Sequence, residues 1–148
     1  KEAKKMGSYI YDATGATKEA FAVDFGNIQV ERWTMMDNLA VATFSENGQT
    51  KYAYYDYNDE LVATTTDMAF SDLPLKAQKI ITKKYGDYDV SQVMFYDDNE
   101  FNETDFVIYG EPFQDEDSYF VELSKGAEKI VLHVYLNGDV SYFKKLSS

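Results

Sequence analysis

The sequence predicts an α+β protein of two tandem units, each a helix followed by four strands, forming one antiparallel sheet with both helices packed on one face. Three observations carry this. The chain matches itself at two offsets with the same order of element types. A short helical stretch heads each copy. The segments that follow alternate apolar and polar residues between tight-turn signals.

Phe25-Gly26-Asn27-Ile28-Gln29-Val30 aligns with Tyr85-Gly86-Asp87-Tyr88-Asp89-Val90, sixty positions later, and the match runs ungapped to Asp37 and Asp97. A second block, shifted by 79, sets residues 40–44 on 119–123, Asn58 on Asn137 and Leu61 on Val140. The shifts differ by 19, so the second copy carries an insertion over about 99–118. The units are then about 14–66 and about 72–146 within a single domain, 1–148, as the length allows. A cone-shaped α+β barrel of the NTF2-like kind would put its helices ahead of the sheet, whereas here the second helix starts mid-chain.

The first helix is predicted over 14–25 with Gly26 as its C-cap, the second over 74–85 with Gly86. Ser71-Asp72 supplies capping groups and Pro74 suits the first turn, where a missing N–H costs nothing. Strands are expected at 29–36, 39–44, 50–57 and 60–65, then at 89–96, 119–123, 129–136 and 139–144. The polar run Thr64-Thr65-Thr66-Asp67 is read as ending the first unit. Asn137-Gly138 is a strong two-residue hairpin signal, because a type I′ turn needs positive φ twice; Asn58-Asp59 is its weaker counterpart.

Composition narrows function. At 45% apolar the chain can bury a core. With no Cys it has neither disulfides nor thiolate chemistry. A net charge of -12 opposes nucleic acid and anionic membranes. Its apolar runs are strand-sized, so this segment does not insert in a membrane. The chain opens at Lys1 without Met and reads as a mature form, with an upstream lipid anchor compatible with it.

Within 130–136, Ile130, Leu132, Val134 and Leu136 point one way and are apolar throughout, so they should face the helices. Val131, His133 and Tyr135 point the other way, and the offset of 79 adds Tyr52 and Tyr54 to that face, with Val41 and Phe120 as further members. Two readings stay open for this aromatic face: protein recognition, or sheet stabilisation by cross-strand pairs or a covering loop. The recognition reading names Trp33, Tyr52, Tyr54, His133 and Tyr135 as partner contacts. A lone His supplies neither a catalytic set nor a metal cluster, and no nucleophile elbow, zincin or phosphate-loop motif occurs, so no catalytic residue, metal or cofactor is predicted.

Asp97, Asp98, Glu100, Glu103, Asp105, Glu111, Asp115, Glu116 and Asp117 crowd the insertion without a Lys or Arg. Solvation is the plain reading. Contact with a basic partner at the rim of the aromatic face, through Asp97, Asp98, Glu100, Asp115, Glu116 and Asp117, is the functional one. Phe106, Val107, Ile108 and Tyr109 lie among the acids, which suggests an ordered hairpin. Asp56-Tyr57-Asn58-Asp59-Glu60 resembles a calcium loop's start, but Leu61 replaces the required Gly, so a hairpin turn is expected.

Leu73-Pro74-Leu75-Lys76-Ala77-Gln78-Lys79-Ile80-Ile81 resembles the LP-x-x-(A/V)-Q helix opening of the PepSY-like domains, also described as beta-lactamase-inhibitor-like (BLIP-like). Residues 119–123, 129–136 and Asn137-Gly138-Asp139 are similar to that family's strands and final hairpin. The resemblance implies tandem helix-plus-four-strand units, an exported bacterial protein that is periplasmic or held at the cell envelope, and no known enzymatic activity. The namesake inhibitor grips an enzyme with its open sheet face and an acidic hairpin. That inhibitor has disulfides and this chain has none, so lactamase inhibition is not carried over. The functional expectation is a non-enzymatic exported protein-binding module for an unknown protein partner, with inhibition as one form. The alternative is an exported small-ligand or cation-binding protein that uses the acidic insertion.

Overall fold

The computed structural model describes residues 8–10 and 12–147. In chain order the elements are β1 (Ser8–Ile10), α1 (Gly15–Phe25), β2 (Arg32–Met36), β3 (Leu39–Glu46), β4 (Gln49–Tyr55) and β5 (Leu61–Met68). Then come a 3-10 turn at Phe70–Asp72, α2 (Leu75–Lys84), β6 (Asp89–Asp98), β7 (Val107–Ile108), β8 (Glu111–Pro112), β9 (Ser118–Lys125), β10 (Glu128–Tyr135) and β11 (Val140–Ser147). The class is α+β with antiparallel strands, as the sequence predicts. Two compact units emerge. One holds the described residues up to Thr65 together with Asp98–Pro112; the other holds Thr66–Asp97 and the chain from Phe113 onward.

In the first unit, β1 to β5 hydrogen-bond in sequence order. β1 is an addition to the predicted elements and pairs with β2, Ser8 opposite Met36. α1 starts as expected: the Thr14 hydroxyl accepts the Thr17 N–H at 3.2 Å. It ends at Gly26, whose φ of +82 an L side chain would resist and whose N–H bonds the Ala22 carbonyl. The helix buries Phe21 against Trp33, Ala42, Phe44, Ala53 and Tyr55. Alanines at Ala40, Ala42 and Ala53 leave room for rings, and Phe21 sits edge-on to Phe44 at 5.0 Å. β5 continues to Met68, through the threonine run that the sequence reading took as its end. Branching at Cβ favours extended backbone, so threonines prolong a strand as readily as they leave one.

In the second unit the strand order is β6-β9-β10-β11. Leu73, Ala77 and Ile81 on the α2 side pack with Val93, Val121, Leu123, Ile130, Leu132 and Val134. The predicted helix-facing set thus holds for Ile130, Leu132 and Val134. Leu136 is 57% exposed, because β10 ends at Tyr135 and Leu136 already belongs to the turn. The expected capping of α2 by Ser71-Asp72 is also corrected. Pro74 holds Leu73 extended, which sets residues 71–72 off from the helix. The Asp72 carboxylate instead accepts the Ala69 N–H at 2.8 Å, and the Gln78 amide reaches back to the Leu73 carbonyl at 2.8 Å. Gly86 follows the helix where a Cβ would lie 2.5 Å from the Thr82 carbonyl oxygen. At the Asn137-Gly138 hairpin only Gly138 takes positive φ, +94, so the expected type I′ turn is corrected: the Gly138 N–H bonds the Tyr135 carbonyl at 2.8 Å and the Asn137 side chain accepts the Asp139 N–H at 2.9 Å.

The insertion is ordered around β7 and β8, which pair with Ile108 opposite Glu111. Their turn places Tyr109 and Gly110 at φ +53 and +78, the double positive φ of a type I′ connection. Phe106 and Ile108 are buried. Residues 98–112, an interruption of the second copy in sequence, belong in space to the first unit.

Candidate functional site

The predicted contact residues scatter. Trp33 is 8% exposed and lies in the α1-side core, 6.1 Å from Phe21 and 6.4 Å from Tyr55 between ring centroids. The partner contact expected of Trp33 is corrected: Trp33 opposes Ala42, and that layer faces the helix. Tyr52 is half-buried opposite Thr43. Tyr54 is 9% exposed; its hydroxyl bonds Thr65 at 3.0 Å and its ring meets Phe106 edge-on at 4.9 Å. The exposure expected for Tyr54 is therefore corrected by a side chain that the insertion brings.

His133 is 6% exposed in the second unit. It stacks on Phe120, with Tyr135 at 4.4 Å and Phe113 edge-on at 6.0 Å. Burial lowers its pKa and favours neutral imidazole. Nε2 lies 2.8 Å from the Ser118 hydroxyl, which donates to the Glu116 carbonyl at 3.1 Å. The serine proton is thereby committed, so we assign the Nε2–H tautomer, with His133 donating to Ser118. A nucleophilic serine needs the reverse polarity and access to solvent, and this buried pair has neither. Tyr135 is half-buried. Phe113 lies 4.9 Å from Tyr96 and 5.2 Å from Phe120, so the aromatic face of this unit is a packed layer.

Asp98 and Glu100 belong to the first unit, and Asp97, Asp115, Glu116 and Asp117 to the second. Among the described residues no three His, Asp or Glu side chains are grouped to hold a metal ion. In the Asp56 to Glu60 turn the oxygens serve the hairpin. Asp56 Oδ1 accepts the N–H groups of Asn58 and Glu60 at 2.9 and 3.0 Å.

A different surface stands out. The Asn102 side chain donates to Asp56 Oδ2 at 3.1 Å, and the Asn99 side chain donates to the Leu61 carbonyl at 2.7 Å. These bonds tie the first turn of the insertion to the β4–β5 hairpin. Beside them Phe101 is 94% exposed and Tyr57 is 86% exposed. Sequence reading passed over both, Tyr57 as part of a turn and Phe101 as one aromatic among acids. The usable signal was the asparagine pair flanking Phe101, since asparagines at that spacing fold a turn onto their own backbone. Asn99 and Asn102 do this, accepting the N–H groups of Phe101 and Thr104 at 3.2 and 2.9 Å.

The same unit has a cleft of about 240 Å³ between the start of α1, the β2–β3 turn and the β4–β5 turn. Met35, Ala40 and Tyr55 supply apolar lining; Asn38, Asp56 and Asp59 supply polar groups. Asp59 Oδ1 accepts the Thr17 hydroxyl proton at 2.6 Å. The Tyr55 hydroxyl is committed elsewhere, donating to Asp24 at 2.8 Å; burial, then that bond, push its pKa far above the ordinary range.

Comparison with known protein families and with curated proteins finds no match in sequence. Solved structures do match. A BLIP-like protein from Bacteroides fragilis aligns with TM-score 0.72 at 18% identity, covering 93% of this chain and 89% of its own. A provisionally periplasmic protein from Bacteroides eggerthii gives 0.74 at 16%, covering 93% and 90%. A DUF2874 family protein from Bacteroides uniformis gives 0.72 at 14%, covering 90% of each chain. At these identities the likeness is one of fold, and the chain has the BLIP-like fold. No described helix is long and apolar enough to cross a membrane.

Proposed function

We propose that this chain is a non-catalytic, extracytoplasmic protein-binding module whose contact surface is the tip formed by the β4–β5 hairpin and the start of the insertion. The observation that supports this is the pair of outward aromatics, Phe101 and Tyr57, on two loops clamped by the Asn102–Asp56 and Asn99–Leu61 bonds. Exposed aromatics on a fixed scaffold bind at low entropic cost and serve as anchors of interfaces. Asp59, Glu60, Glu100 and Glu103 lie in the same two loops, and no Lys or Arg occurs between Lys51 and Lys76 or between Lys84 and Lys125. The partner surface is accordingly basic around an apolar patch. Inhibition would follow where that patch borders a partner's active site. Names given to proteins of the same fold support the extracytoplasmic setting.

The test is affinity capture from a cell envelope, comparing the native chain with the Phe101→Ser, Tyr57→Ser double variant. Both side chains are solvated, so the variant should fold normally. Loss of a specific, salt-sensitive partner is expected. Recovery of the same partners at the same yield would reject this surface.

A further inference from the structure

We propose that the cleft beside α1 is a binding site for an alkylammonium group. Its lining matches such a group in two parts. Met35, Ala40 and the buried ring of Tyr55 offer an apolar wall for a methylene stem. Asp59 offers the cation its carboxylate, of which Oδ1 takes the Thr17 proton and Oδ2 is left over. Asn38 adds a further polar residue to the lining.

Charge decides between ligand classes. Among the described residues no Lys, Arg or His lines the cleft, and two carboxylates do, so an anion is disfavoured. Asp56 already accepts two backbone N–H groups at Oδ1 and the Asn102 amide at Oδ2, so it contributes chiefly field, and Asp59 the direct contact. One available carboxylate oxygen suits a single positive charge. The opposing influence is the positive end of α1, and local bonds offset it. Thr14 takes the Thr17 N–H and Asp59 the Thr17 hydroxyl. The volume of about 240 Å³ suits a short chain rather than a bare ion. A metal would need a group of ligands, and the described residues provide none.

An alkylammonium can arrive as a free amine or as a lysine side chain of the proposed protein partner. The second source rests on the preceding proposal, whereas the cleft's chemistry does not. The experiment is a titration of the intact chain with n-butylammonium chloride, followed by amide chemical shifts, with sodium chloride at matched ionic strength as reference. Saturable shifts at Asn38, Tyr57 and Asp59 are expected. Asn38→Ala should weaken binding several-fold, Asp59→Asn about tenfold or more, and Phe101→Ser should leave it unchanged. Should Asp59→Asn disturb the start of α1, Asn38→Ala alone still tests the site. Shifts indistinguishable from those of sodium chloride, or an equal response in Asn38→Ala, would overturn the proposal. Repeating the titration with Nα-acetyl-lysine methylamide separates the sources: tighter binding than n-butylammonium assigns a peptide lysine, weaker binding a free amine. Failure of the capture experiment with a positive titration would reject the protein-binding surface and leave the cleft standing.

Discussion

The imidazole of His133 lies flat on the Phe120 ring, with 4.5 Å between centroids and 4° between planes. Burial lowers the His133 pKa from its ordinary 6.5, so the folded chain takes up this proton at lower pH than the unfolded chain. Below pH 6.5 the unfolded state holds more protons, and stability falls as pH falls until the folded-state pKa is passed. Thermal melts between pH 8 and pH 5 (an experimental range of about three units) should show a declining midpoint at the acid end. His133→Gln, which keeps a donor for Ser118, should remove that part of the slope. An unchanged slope would show that other groups control it.

Gly138 should resist substitution for two reasons that add. Its φ of +94 strains any L residue, and a Cβ would lie 2.8 Å from the Lys76 Cβ. Gly138→Ala is expected to cost about 1–3 kcal/mol in urea unfolding. It should also disturb the Lys76–Asp139 ion pair, whose 2.6 Å contact crosses the same gap. That pair is well solvated and contributes little by itself.

Phe106 holds the insertion to the first unit through its edge-on contact with Tyr54. Phe106→Ala should cost about 3 kcal/mol. Limited proteolysis should then cut within residues 98–112 well before the strands. Cleavage at the native rate would mean that backbone bonds alone retain the segment.

Asn102 is placed to be replaced informatively. Asn102→Ala removes both the bond to the Asp56 carboxylate and the bond that accepts the Thr104 N–H, and should cost about 1–3 kcal/mol, with faster amide exchange at residues 99–104. Asn102→Asp is nearly isosteric but sets a second carboxylate near Asp56. Its destabilisation should exceed that of the alanine variant at pH 7 and shrink as pH drops below the carboxylate range.

Helices, hairpins and most strand bounds were legible because they rest on local rules: spacing of Thr17, Ala20 and Phe21, the glycine after Phe25, the Asn137-Gly138 turn. Ile130, Leu132 and Val134 announced their face by alternation. What alternation does not tell is whether the opposite face meets solvent or another segment. Tyr54 is covered by Phe106, and Phe120 and His133 by Phe113, side chains that lie among acids outside the alternating strands. Trp33 was ambiguous because its strand, Arg-Trp-Thr-Met-Met, has apolar residues in both alternating positions. The outward tip was hidden for a different reason: Tyr57 sits in a turn and Phe101 among acids, and the Asn102–Asp56 and Asn99–Leu61 bonds that tie their two loops join residues far apart in sequence.

β2 and β3 are joined by Asp37 and Asn38 alone, whereas the paired strands β6 and β9 are joined by residues 99–117. Because the entropy of closing a loop grows only with the logarithm of its length, such an excursion between two already-paired strands adds little to the cost of folding. The β6–β9 connection is thus a graft point on a rigid frame, comparable in principle to the variable loops of a binding scaffold. Replacing residues 99–117 by a two-residue Asp-Asn turn would yield a minimal frame with its aromatic layer laid bare. Other sequences threaded between the same two strands would cover that layer in other ways.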